Sequence, residues 1–167
     1  LRQNWDGEME LHKCSSAVEA VAFWVTNLDS VSVAALNPSA GKTYATLAKT
    51  GSRVATDTGD KEHGGHTTTP DMWVRVHARG ILSPLEALLS STHRELVGKR
   101  EHLYSTMNHL NGRDVILQMD NQASVLILII GSRNEELQAL AVEINVWAWE
   151  HSVTLFPVWI PRSWAAL

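Results

Sequence analysis

The sequence predicts an α/β fold in which helices pack on a mixed sheet. Two observations support this class. Short apolar or alternating segments are interleaved with long amphipathic helical patterns, so strands and helices alternate along the chain. The expected order is strand, strand, one further strand left open, helix, strand, helix, helix, strand. The 167 residues, 44% hydrophobic and 19% charged, are enough for one core of ordinary globular composition.

Composition and charge exclude several classes of protein. No apolar run reaches the roughly 18 to 20 residues that span a bilayer, so an integral membrane protein is excluded. The net charge of −4 provides no bulk positive field, so nucleic-acid binding must be local or assisted by other domains. The single Cys14 and the lack of a signal-peptide pattern predict an intracellular location, in cytoplasm or nucleus.

The first 51 residues are predicted to be a helical connector. Ser16 and Glu19 form a capping box, and the apolar spacing that follows predicts a helix over residues 16–28. Residues 29–51 are rich in small and β-branched side chains and read as a connector in which one weak strand is left open. The main domain is therefore expected over residues 52–167. Because the chain starts without Met and stops in IPRSWAAL, we expect a piece cut from a longer protein.

Two strands are predicted early in the main domain. Residues 52–57 suit a short strand, and the following GDKEHGGH contains too many glycines and charges to continue it, so a turn is expected there. Residues 72–78 alternate apolar and polar side chains, which predicts a second strand that ends at Gly80. We expect these two strands to form a hairpin.

The rest of the domain is predicted to alternate helices and strands. Thr92 and Glu95 form a second capping box, and the long helix that follows is expected to stop at Asn111-Gly112. Residues 124–130 are ambiguous between strand and helix, and we interpret them as a short buried helix. The other predicted elements are a strand over residues 115–119, an amphipathic helix through Leu137 and Trp147, and a strand over residues 153–160.

Three acidic residues stand at the ends of predicted elements. Asp57 ends the first core strand, Glu95 lies in the first turn of the long helix and Asp120 ends the next strand. Such positions meet at one edge of an open α/β sheet, and converging carboxylates favour Mg²⁺ or Mn²⁺, a pair of which promotes phosphodiester cleavage. Three alternatives remain open: Asp57 as a turn residue, Glu95 as half of its capping box and Asp120 as a helix N-cap.

Four ordered segments resemble a known family. They are ATDTGDKEHGG, GILSPLEALLSSTHREL, QMDNQASV and LQALAVEINVWAWEHSVTLFPVWIPRS, and together they span about residues 52–163. They resemble the RNase H-like domain of reverse transcriptases from DIRS-like, tyrosine-recombinase retrotransposons. In that family a strand ends in Asp-Ala-Ser, a helix opens around Glu-Leu, a strand ends in Thr-Asp-Asn and a late strand runs into Ile-Pro.

The resemblance implies a fold, an activity and partners. The fold would be an RNase H-like mixed sheet flanked by helices, and the reaction would be cleavage of the RNA strand of RNA/DNA hybrids with Mg²⁺ or Mn²⁺. Asp57 would be shared by both metals, Glu95 would be the helix acid and Asp120 the third ligand. The first helix with WVTNL resembles the segment that follows a polymerase thumb, which implies an upstream polymerase domain in the same polyprotein.

Three departures from the family pattern favour a rival interpretation. The family's Gly-Trp-Gly is replaced by Glu62-His63-Gly64, and Asp-Ala-Ser by Asp57-Thr58-Gly59. The family's fourth acid, in an Asn-x-x-Ala-Asp segment after Ile-Pro, is not present up to Leu167. We therefore expect a C-terminally truncated domain with an incomplete site, which cleaves an RNA/DNA hybrid slowly or not at all. The rival is a catalytically inactive RNase H-like module that binds nucleic acid or serves as a scaffold.

Basic and histidine side chains near the predicted site complete the analysis. Five cations could contact phosphates, with solvation as the alternative: Arg94, Lys99, Arg100, Arg113 and Arg133. Three histidines share the long helix and are expected at its surface, the first of them within reach of substrate: His93, His102 and His109.

Overall fold

The structure is a computed structural model, and it describes Ala22, residues 44–71 and residues 75–161. The chain divides into two compact units, residues 1–40 and residues 41–167, so the second unit begins before the predicted boundary at residue 52. In the first unit only Ala22 is described, and it is helical. The rest of the helix predicted over residues 16–28 lies outside the described residues, as do residues 72–74 of a predicted strand.

The second unit contains a five-stranded mixed sheet with helices packed on it. Its elements in chain order are α1 (Tyr44–Thr50), β1 (Ser52–Thr58), β2 (Glu62–Thr68), β3 (Val76–Ile81), a 3₁₀ turn (Glu86–Leu88), α2 (Ser91–Ser105), α3 (Met107–Leu110), β4 (Asp114–Met119), α4 (Gln122–Ile130), α5 (Glu135–Glu150) and β5 (Thr154–Trp159). The strand order is β3-β2-β1-β4-β5. Strands β1, β2 and β3 pair antiparallel, whereas β4 is parallel to both β1 and β5. The predicted mixed sheet with flanking helices is confirmed.

The parallel half of the sheet follows the sequence pattern closely. Strands β4 and β5 and helix α5 lie where periodicity predicted them. The apolar segment that was ambiguous in the sequence forms α4, in agreement with its interpretation as a helix. Asn121 caps α4 by accepting hydrogen bonds from the backbone N–H groups of Ala123 and Ser124, and Gly131 ends the helix at φ 84°. The core here is apolar and fully covered, and it includes Val115, Leu117, Met119, Ile144 and Trp147.

The antiparallel half differs from the predicted hairpin. The segment expected to be a turn forms β2, which lies between β1 and β3 and pairs with both, so the predicted direct pairing of those strands is wrong. The glycines that suggested a turn serve close packing instead. A Cβ atom at Gly65 would lie 2.6 Å from the carbonyl oxygen of Ala55 and 2.8 Å from Nδ1 of His102. Only glycine lets α2 approach β2 this closely.

The start of α2 also differs from the prediction. Ser90, not Thr92, is the N-cap, because its hydroxyl accepts a hydrogen bond from the backbone N–H of His93 at 3.3 Å. Glu95 therefore has no capping role and its carboxylate is available elsewhere. The predicted long helix is divided at Thr106: α2 ends at Ser105, and the short α3 ends at Leu110, just before Gly112 with φ 69°. Among the helices of the described ranges, none combines the length and apolar character needed to cross a membrane.

Candidate active site

One polar cavity lies where β1, β4 and the start of α2 meet. Its volume is about 320 Å³, and its lining residues are Asp57, Thr58, Ser91, Glu95, Asp120, Asn121 and Gln122. Because β1 and β4 are parallel neighbours, their carboxyl ends reach the same edge of the sheet. The structure thus brings together the three acids that the sequence singled out. Their role as metal ligands stays a prediction.

Glu95 is the buried member of this group, with 5% of its surface exposed. Burial raises the pKa of the Glu95 carboxyl, Lys99 opposes that rise, and the neighbouring charges of Asp120 and Asp57 add to it. The three acids therefore lie within electrostatic reach of one another. The negative charges of Asp57, Glu95 and Asp120 therefore repel one another in this cavity.

Lys99 lies one helical turn after Glu95 and is fully buried. Its Nζ is 3.0 Å from Oε1 of Glu95, donates a hydrogen bond of 2.8 Å to the carbonyl oxygen of Thr56 and donates another to the Thr56 hydroxyl. Burial lowers the pKa of Lys99, and the Glu95 carboxylate counteracts this. The prediction that Lys99 contacts phosphate is wrong, because no part of it reaches solvent. The spacing of four between Glu95 and Lys99 was the signal available in the sequence.

Asp57 and Asp120 are held by their backbone surroundings. The Asp57 carboxylate is exposed and accepts a hydrogen bond of 2.9 Å from the backbone N–H of Thr58. The backbone oxygen of Asp120 accepts a hydrogen bond from the Trp159 indole at 3.2 Å. The next residue, Asn121, donates to the Thr92 hydroxyl at 3.3 Å and so ties the Asp120 loop to α2. The N-cap of α4 is Asn121, so the alternative role of Asp120 as the cap does not hold.

Gly98 explains how α2 approaches β1. A Cβ atom at Gly98 would clash with the hydroxyl of Thr58 and lie 3.1 Å from Cβ of His63. Glycine inside a helix costs about 1 kcal/mol relative to alanine, so its presence here reflects close packing. The approach brings Glu95 towards the strand that carries Asp57. Sequence reasoning missed Gly98, although a glycine within a helical pattern was visible.

The predicted phosphate-contacting arginines are largely engaged within the protein. Arg94 pairs with Asp60 at 3.0 Å, and Arg113 pairs with Asp71 at 2.9 Å. Arg100 is paired with three carboxylates, those of Glu86, Glu101 and Glu143. Arg133 is exposed. Phosphate contact stays a prediction for these four side chains, and three of them would have to exchange a protein carboxylate for the phosphate.

Two of the three histidines of α2 and α3 are buried, contrary to the prediction. His102 is 1% exposed, with Nε2 2.9 Å from the Thr67 hydroxyl, and burial followed by the charge of Lys99 lowers its pKa to about 4. His93 is buried between Ser90 and Glu136. Only the third, His109, lies at the surface as expected. Gly65 of β2 leaves room for the His102 imidazole, which helical periodicity alone predicts to be exposed to solvent.

Carboxylate and amide oxygens line the cavity, and oxygen atoms of these kinds are the ligands that hard divalent cations prefer. Within the part of the chain that the structure describes, no group of three His, Cys, Asp or Glu side chains is spaced to hold an ion as it stands. One oxygen of Glu95 is paired with Lys99, which leaves the other oxygen and the less buried Asp57 and Asp120. These two acids would have to turn towards Glu95 to complete a site.

No protein-family model matches the chain, and no curated protein matches it. Several solved structures are similar. RNase H1 from the halophilic archaeon Halobacterium salinarum NRC-1 is 13% identical over 69% of this chain and 89% of that chain, with a TM-score of 0.48. LC11-RNase H1, isolated from compost by a metagenomic approach, is 17% identical over 70% of this chain and 88% of that chain, with a TM-score of 0.48.

The foamy viral protease-reverse transcriptase in complex with dsDNA is 11% identical over 66% of this chain and 24% of that chain, again with a TM-score of 0.48. The sheet itself, ordered β3-β2-β1-β4-β5 with two antiparallel and two parallel strand pairs, has helices packed on it. This is the mixed α/β architecture with flanking helices that the sequence predicted.

Proposed function

We propose that this chain is a nuclease module that cleaves the RNA strand of RNA/DNA hybrids as part of a DIRS-like retrotransposon reverse transcriptase. The observation that carries the proposal is the meeting of Asp57, Glu95 and Asp120 in one cavity. They come from a strand end, a helix start and a second strand end that are distant in sequence. The ordered sequence segments that resemble the retrotransposon domain supply the substrate class and the upstream polymerase partner.

The residues of the cavity have distinct tasks in this proposal. Asp57, Asp120 and the outer oxygen of Glu95 would hold Mg²⁺ or Mn²⁺, which supplies water activation and stabilisation of the leaving oxygen when bound. Lys99 pairs with Oε1 of Glu95 and so fixes the orientation of the carboxylate. Asn121, Gln122 and Ser91 present amide and hydroxyl groups that suit phosphate oxygens at the cavity mouth. Hybrid shape and RNA 2′-hydroxyls, not sequence, would determine binding.

A second candidate is a non-catalytic nucleic-acid-binding module. The observation that favours it is the ion pair of Lys99 with Glu95, which neutralises one acid of the cavity without any metal. A site with one carboxylate already paired binds divalent cations less strongly than three free carboxylates would. In this case the chain binds a hybrid without cleaving it.

Cleavage of a labelled RNA/DNA hybrid in Mg²⁺ and in Mn²⁺ tests the proposal. We expect slow, metal-dependent cleavage by this chain and at least about a hundredfold further loss in Asp57→Asn and Asp120→Asn, since each change removes a ligand charge. Glu150→Gln, an exposed acid at the end of α5, is the matched control and keeps the rate of wild type. Cleavage that survives both site substitutions contradicts the proposal. Hybrid binding without cleavage supports the second candidate.

A further inference from the structure

Within the described ranges, the sheet face opposite α2 is only partly covered. On β1, Val54 belongs to the buried core and Thr56 contacts Lys99 of α2, so both face that helix. Strand side chains alternate, so Arg53, Ala55 and Asp57 lie on the opposite face. Helix α1 contacts β4, and the carbonyl oxygen of Ala48 in α1 accepts a hydrogen bond from Arg53. Over β1, β2 and β3 the outward charged side chains remain exposed.

Strand register aligns this open face into rows across β1, β2 and β3. One row contains Asp57, Gly64 and Arg79, and the next contains Ala55, His66 and His77. The rings of His66 and His77 lie side by side, with centroids 6.0 Å apart. The cavity acid Asp57 is thus in register with the basic edge strand β3. Two strand spacings, about 9.5 Å, separate their backbones.

We call the five cationic or imidazole side chains of this face the basic band. Its members are Arg53, His66, Arg75, His77 and Arg79. The last three recur at every second residue, about 6.7 Å apart along the edge of the sheet. Arg75 precedes β3. Burial is the main cause that lowers the pKa of His66, and the charge of Arg75 lowers it further, so Arg75 lies near the same face.

The band has the shape and charge that a phosphate backbone requires. Small residues lie beside its members: Gly64 lies between Asp57 and Arg79, and Ala55 lies beside His66. A polymer strand can therefore lie flat against the sheet. Arg79 is paired with exposed Glu62, a weak surface ion pair that a phosphate can replace. Because the whole chain carries a net charge of −4, this band is a local positive region on an otherwise acidic protein.

We propose that the basic band is a docking surface for the sugar-phosphate backbone of a nucleic-acid strand that continues from the cavity at Asp57 across β2 to β3. The inference rests on the proposed function, since a strand held at Asp57 must leave the cavity in some direction. The row of Asp57, Gly64 and Arg79 provides a flat path towards positive charge. A lipid surface is the less suitable partner, because the band ends at a cluster of carboxylates.

Fluorescence anisotropy with the intact chain tests this surface. The probe is a labelled RNA/DNA hybrid with unpaired RNA at both ends, in EDTA so that no cleavage occurs. We expect Arg75→Gln and Arg79→Gln each to weaken binding about three- to tenfold and to reduce the slope of log affinity against log salt by about one. Lys49→Gln, an equal charge change at an exposed residue of α1, leaves affinity and slope near those of wild type.

The outcomes separate this inference from the nuclease proposal. Both arginines are exposed, and circular dichroism verifies that each variant folds; either one alone is sufficient for the test. Affinities equal to that of Lys49→Gln in both variants overturn the basic band. The proposal is also overturned if the chain binds phosphatidylserine-phosphatidylcholine vesicles and does not bind the hybrid. Loss of the band effect leaves the cleavage result unchanged, and absence of cleavage leaves the binding result in EDTA intact.

Discussion

Two equally buried regions of this molecule are built from different chemistry. Between β4, β5, α4 and α5 the interior is apolar, as at Met119 and Ile144. Beneath α2, against β1 and β2, the interior holds Glu95, Lys99 and His102. An apolar interior requires only volume and shape, whereas each buried polar group also requires a partner. The polar region is the one that carries the candidate site.

The polar region is incompletely satisfied, which fits a region built for binding. Thr67 and Thr106 hydrogen bond to one another, and each also contacts His102. In the described ranges, Nδ1 of His102 and the hydroxyl of Thr58 have no hydrogen-bond partner. Such groups cost stability that a purely apolar interior would retain. The buried groups of this region that can carry a charge all lie on α2: Glu95, Lys99 and His102.

The largest effect is expected from Lys99→Met. Removal of the ammonium leaves Glu95 buried without its partner, which costs about 3 to 5 kcal/mol of unfolding free energy. The double variant Lys99→Met/Glu95→Leu should recover most of that loss, since neither charge then remains. Urea denaturation followed by circular dichroism measures both, with exposed Lys49→Met as the control. A loss below about 1 kcal/mol for Lys99→Met would show that the pair does not hold this region together.

In the apolar region, Ile144→Ala should cost about 2 to 5 kcal/mol because it opens a cavity in a fully buried core. The comparison is sharpened by a second expectation, that this loss is the same at pH 5 and pH 8. No charged group is involved. A loss that depends strongly on pH would mean that the two regions are coupled.

A pH effect is expected from the polar region alone. The pKa of His102 is about 4 in the folded protein, against 6.5 for an ordinary histidine. The unfolded state therefore binds the proton more readily, so stability is complete above pH 6.5 and falls as pH drops towards 4, by up to about 3 kcal/mol. His102→Gln should remove this part of the pH dependence, whereas exposed His109→Gln should retain it. Equal pH profiles for the two variants contradict the assignment.

The smallest effect concerns Asp120→Asn without metal. Asp120 and Asp57 both raise the pKa of Glu95, a sign of repulsion, so removal of one charge should leave stability unchanged or raise it by less than about 1 kcal/mol. Mn²⁺ at ten times its dissociation constant should stabilise wild type by about 1.4 kcal/mol, and the variant less. Thermal melts measure both. A melt of wild type that is indifferent to Mn²⁺ and Mg²⁺, with a destabilised Asp120→Asn, contradicts a metal site.

The sequence by itself determined the class of the fold, the parallel half and the placement of the three acids at element ends. Those features follow from apolar periodicity, which reports regular burial directly. Helix α5 illustrates this: the helical spacing of apolar residues from Leu137 to Trp147 was enough to place it.

Only the tertiary structure decided the antiparallel half. Strand β2 contains His63, Gly64 and Gly65, and such residues carry no strand signal until α2 packs against them. The burial of Lys99 and His102 was likewise invisible, because a charged or imidazole side chain is solvated in most helical patterns. Whether it is buried depends on partners such as Thr56 and Thr67 that the chain brings from another element. Periodicity records how often a face is apolar, and it contains no information about which distant polar groups will meet.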